Sequence, residues 1–255
     1  MLNVAFSEAT FTDCTRRDGL NLDINLVWPY QGPTLHLPSD FLAPSPTLVL
    51  IEQMARIQRA WIHDNETARR MIINAILTEV ILNGLGAHLH GFCEVNNDLE
   101  FSNGVKYTGF TDYMIGTGLE PRSVDTLVLV VKAKGAWLPS AIFPQVICEA
   151  GCLLKRRIQA GKETPVFAIL TNGENFQFFA LDVDSKVYSS GQIVLDRGSS
   201  GSFADSPSLI EILRWCYWFV SCMNAVSPRV AGMDLDQVEI NSACELVRAC
   251  FGRKY

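Results

Sequence analysis

The stretch Leu127–Lys134, LVLVVKAK, limits what this chain can fold into. Five apolar residues run from Leu127 to Val131 and read as a buried strand of a sheet. Lys132 and Lys134 follow, two positions apart and therefore on one face of that strand. A strand this apolar that ends in two like charges either reaches solvent there or delivers charge to a site.

The flanking segments supply the layers around it. Leu48, Ile51, Met54, Ile57 and Trp61 have helical spacing within Thr47–His63. A second helix follows, with Asp64 or Asn65 as its cap and Ile72, Ile73, Ile76, Leu77, Val80 and Ile81 as its apolar stripe. NGLG at 83–86 stops it. The period then shortens. HGFCEVNNDLEF, YTGFTDYMIG and DTLVLVVKAK read as strands, with Asn103-Gly104 at a hairpin turn. Helical spacing returns over Ser140–Ala160 and ends at Gly161. PVFAILTNG and NFQFFALD read as strands around Gly173, and KVYSSGQIVL as a further one. A helix opened by Ser206 or Ser208 carries WCYWF, and a last helix spans roughly Asp234–Cys250.

This order predicts an α/β fold: a mixed central sheet flanked by helices, with extra N- and C-terminal helices. Residues 1–45, rich in proline and turn residues, predict an irregular N-terminal arm. Residues 46–230 form the α/β core, and 231–255 a C-terminal helix packed on it.

The net charge of -6 argues against a protein that coats nucleic acid non-specifically, and leaves room for a local basic site. The eight cysteines form no CxxC pair, and His36, His63, His88 and His90 complete no ligand pattern, so the thiols read as reduced core residues. The N-terminus lacks a basic-then-apolar leader. Leu209–Val220 is interrupted by Glu211 and Arg214 and is too short for a membrane span. The expectation is an intracellular protein, of cytoplasm or nucleus, with no membrane partner.

Asp112 lies inside the strand GFTDYMIG, Lys134 ends the next strand, and Gln145 and Glu149 sit four apart on one face of the following helix. Neighbouring strands would bring them together. Such a set suits phosphodiester hydrolysis. Carboxylates hold Mg²⁺ or Mn²⁺, a lysine orients the attacking water, and a glutamine positions the substrate.

The order helix, GFTDYMIG, LVLVVKAK, QVICEAGCLL, PVFAILTNGENFQFFAL is similar to the PD-(D/E)XK restriction-endonuclease-like superfamily, particularly its fungal-type members, over roughly residues 64–225. The resemblance implies a restriction-endonuclease-like sheet and a metal-dependent nuclease acting on DNA or RNA. It makes Asp112 a metal ligand, Lys134 the catalytic lysine and Gln145 the positioning residue. An acid on the first core helix, Glu66 or Glu79, would join the metal set. The family's second acid falls on position 132, where this chain has Lys132.

Two accounts follow. Either the second metal carboxylate has moved to Glu149, or the site is degenerate, by natural loss or deliberate substitution. In the second account the fold binds nucleic acid or a protein partner, and Lys132 pairs with Asp112 or Glu149 in place of a cation. Lys155, Arg156 and Arg157 form either a phosphate contact or a solvated helix end. Trp215, Trp218 and Phe219 share a helix face that is either deeply buried or open to a homodimer or protein partner.

Overall fold

A computed structural model describes residues 2–24, 34–61, 65–84, 89–116, 127–133, 139–162 and 164–226. Helix α2 (Leu48–Ala60) starts where the Thr47 hydroxyl accepts from the Leu50 N–H. Helix α3 (Glu66–Asn83) starts at Asn65, whose side chain accepts from the Ala68 N–H. Strands β2 (His90–Asn96), β5 (Phe110–Gly116) and β6 (Leu127–Ala133) run antiparallel in sequence, with β3 (Leu99–Glu100) and β4 (Val105–Thr108) forming a hairpin between β2 and β5.

Helix α4 (Pro139–Gln159) then crosses over, so that β7 (Val166–Thr171) lies parallel to β6. Strands β8 (Asn175–Leu181), β9 (Val187–Ser189) and β10 (Ile193–Val194) follow, and helix α5 (Pro207–Val226) begins under a Ser206 cap. The described strands make a mixed seven-stranded sheet in the order β10-β8-β7-β6-β5-β2, with β9 also on β8.

Alternation along β7 divides the core. Phe167 and Ile169 face a cluster built with α2, α3 and α5, while Val166, Ala168 and Leu170 face α4. Trp215, Tyr217, Trp218 and Phe219 are all buried on the first side. The aromatic stripe of α5 is therefore core. The β7–β8 turn passes so close to α3 that a Cβ on Gly173, which has φ +83°, would stand 2.9 Å from the Arg69 carbonyl oxygen.

The N-terminal segment departs from the expected irregular arm. Strand β1 (Leu2–Ala5) pairs in parallel with β4 in a separate sheet of order β1-β4-β3, and a 3₁₀ turn (Phe6–Glu8) leads to helix α1 (Phe11–Thr15), opened by a Thr10–Asp13 capping box. Val4, Phe6, Cys14, Leu20, Leu22 and Ile24 complete the cluster beneath α4. These apolar residues are spread through polar ones without a regular period, which hid their burial. Gly109, at φ +147°, leaves room for the Phe6 ring where a Cβ would come within 2.7 Å of it. The expected helix beyond residue 231 lies outside the described residues. Among the described residues, no helix is long and apolar enough to cross a membrane.

Because Phe6 is only 2% exposed, Phe6→Ala should cost about 3–5 kcal/mol, read as a lower midpoint in urea unfolding. An appended arm would leave the midpoint where it is.

Candidate functional site: a buried cluster of opposed charges

Asp112 on β5 and Lys132 on β6 each lie one residue beyond the Tyr113–Val131 pair at the end of the antiparallel β5–β6 ladder. Lys132 lies between Val131 and Ala133, which face the other layer, so its side chain turns toward α4. There it meets Glu149. The Lys132 Nζ is 3.0 Å from Glu149 Oε1 and 3.3 Å from Asp112 Oδ2. One ammonium thus bridges two carboxylates from two different elements.

Asp112 has further partners. Its Oδ2 accepts from the Ala133 N–H at 2.9 Å, and its Oδ1 accepts from Arg70 Nη2 at 2.8 Å. Arg70 comes from the first turns of α3, one turn after Glu66, which it also binds at 2.8 Å. Glu94 of β2 approaches Arg70 Nη1 at 3.7 Å. Glu94 lies between Cys93 and Val95, which pair with Tyr113 and Thr111 of β5, and adopts φ +51°, in the left-handed region that a glutamate rarely occupies. The cluster therefore holds four carboxylates, Glu66, Glu94, Asp112 and Glu149, against two cations, Arg70 and Lys132.

Glu149 is fully buried, and neither of its oxygens accepts a well-directed hydrogen bond, so its link to Lys132 is mainly one of charge. Burial pushes its carboxyl up from 4.5 to about 7; Lys132 opposes the shift and Asp112 adds to it. Burial pulls the Lys132 ammonium down, but Glu149 and Asp112 outweigh it and leave the group raised. Arg70 behaves alike, with burial opposed and overcome by Asp112 and Glu66. The α4 backbone is pinned by Asn97, which donates from Nδ2 to the Glu149 carbonyl at 2.8 Å.

The other residues singled out in the sequence lie apart from this centre or are already engaged. Gln145 donates from Nε2 to the Ser7 carbonyl at 2.9 Å, so the N-terminal segment occupies it. Glu79 is not brought to Asp112: its two oxygens accept from the Thr47 N–H at 3.0 Å and the Thr47 hydroxyl at 2.7 Å, tying α3 to the start of α2. Lys155 donates to the Ser185 hydroxyl and Arg156 to Asn97 Oδ1. Arg157 is 1% exposed and donates to the Thr164 hydroxyl, so burial corrects its reading as a phosphate contact. Lys134 lies outside the described residues.

Arg70 and Glu94 were missed in the sequence. The spacing of Glu66 and Arg70 was a usable signal, since residues four apart share a helix face. Nothing in the sequence marks the backbone of Glu94.

As they stand, these side chains do not fit a divalent cation. Lys132 occupies the space between the two central carboxylates, and Arg70 holds the remaining oxygen of Asp112. Among the described residues, no group of three histidine, cysteine or acidic side chains is arranged to hold a metal ion. No protein-family model matches the chain, and no curated protein sequence matches it.

Two outcomes check this geometry. A carboxyl that holds its proton more tightly when folded adds stability below its ordinary value of 4.5, and that stability is lost as pH rises through about 7. The unfolding free energy should therefore fall between about pH 5 and about pH 8, and Glu149→Gln should flatten that part of the profile. Separately, Glu79→Ala should cost about 1–3 kcal/mol by stranding the Thr47 donors, measured by thermal unfolding.

Proposed function

We propose that the chain is a catalytically degenerate protein of the restriction-endonuclease-like fold, which acts by binding and does not hydrolyse phosphodiesters. The observation that carries this reading is the Lys132 ammonium, 3.0 Å from Glu149 and 3.3 Å from Asp112, where the resemblance expects a divalent cation between two carboxylates. The topology supports it. A helix precedes three antiparallel strands, then a crossover helix and a strand parallel to the third, with Asp112 on the second strand and Lys132 on the third.

In a metal-dependent nuclease the cation polarises the phosphoryl group and lowers the pKa of a bound water. An ammonium supplies charge but no open coordination position. It neutralises the carboxylates and keeps the fold intact without generating the nucleophile. Against migration of the second carboxylate to Glu149 stands the Lys132 ammonium, 3.0 Å from that group. The reading of Lys155, Arg156 and Arg157 as a nucleic-acid surface loses support from their internal partners.

Calorimetric titration of the purified chain with Mn²⁺, beside a cleavage assay on single- and double-stranded DNA and RNA, tests the proposal. No binding and no cleavage are expected. Mn²⁺ binding that disappears in Asp112→Ala would overturn it in favour of an active metal site.

A further inference from the structure

We infer that Arg70 is a second resident cation, which closes the carboxylate cluster to metal ions independently of Lys132. The inference rests on the reading of Lys132 as a stand-in for a cation and extends it to a residue on another element.

Arg70 makes the shorter contact with Asp112: 2.8 Å from Nη2 to Oδ1, against 3.3 Å from Lys132 Nζ to Oδ2. The two cations take different oxygens of the same carboxylate, and the Ala133 N–H shares Oδ2. Removing the lysine would therefore leave Oδ1 bonded and the backbone donor in place. Glu66 shares Nη2 with Asp112 at 2.8 Å and Glu94 approaches Nη1 at 3.7 Å, and neither contact involves Lys132, so changing the lysine leaves both in place. A guanidinium stays charged across the accessible pH range, so no change of pH opens this half of the cluster.

Behind the two cations stands a carboxylate aimed inward. Glu149 is fully buried, and its oxygens have no directed hydrogen bond to lose. With both cations neutralised, Asp112 and Glu149 would face each other uncompensated, the condition under which oxygen ligands take up a hard divalent cation. With only one neutralised, the incoming ion meets a fixed positive charge in contact with the Asp112 carboxylate.

The test compares Mn²⁺ binding by the full chain carrying Lys132→Glu, Arg70→Gln, or both, with folding checked by circular dichroism. The expected result is no binding by either single variant and a gain of Mn²⁺ binding by the double variant, lost again when Asp112→Ala is added. Binding by folded Lys132→Glu alone overturns the inference, and that outcome can be read even where the double variant does not fold. A folded double variant that binds nothing overturns it as well, since Arg70 is then not what keeps the ion out. Binding by the unaltered chain instead overturns the underlying reading of Lys132, so the two failures are told apart.

Discussion

A charge buried beside a sheet must find its counter-charge there, and this requirement organises the centre of the molecule. Lys132 and Glu149 lie on different elements, and neither can be desolvated alone without a penalty of several kcal/mol. Their contact, shared with Asp112, fixes where β5, β6 and α4 stand relative to one another. Arg70 adds α3 to the same arrangement. Such a cluster is a poor source of net stability, because apolar residues of equal volume would pack there at less cost. What it provides is definition: a slip of one residue between β5 and β6 would turn Lys132 into the apolar layer opposite.

The second layer depends on the N-terminal segment. Residues 4–24 share one buried cluster with helix α4: Leu20 and Leu22 close on Gly151, and the Cys14 thiol donates to the Pro144 carbonyl. The same segment accepts the Nε2 donor of Gln145 at the Ser7 carbonyl.

Much of the fold is legible in the sequence, because helices and strands of this kind are written as periods. The caps at Asn65 and Ser206, the turns at Gly104 and Gly173, and the helical stretch ending at Gly161 all appear where local chemistry requires them. The N-terminal strand and helix are too short to show a period. At the site, Asp112, Lys132 and Glu149 could be placed together because strand alternation and helix spacing are local rules. The roles of Arg70, Gln145 and Glu79 could not, since a side chain four to six bonds long reaches partners that spacing does not specify. Arg157 illustrates the same limit: three consecutive basic residues look alike in sequence, and only packing distinguishes the buried one from its neighbours.

The backbone of Glu94 has a consequence beyond the charge it carries. Strand β2 is the last strand of the described sheet on its side, and an outermost strand exposes a row of unsatisfied amides and carbonyls. The ladder to β5 pairs Cys93 and Val95 but passes over Glu94, whose backbone is left-handed. A second polypeptide pairing along that rim would meet a left-handed backbone at Glu94 and bring its own backbone against an exposed carboxylate. The residue that approaches Arg70 therefore also sets a charge on the margin of the sheet, a feature that disfavours edge-to-edge pairing.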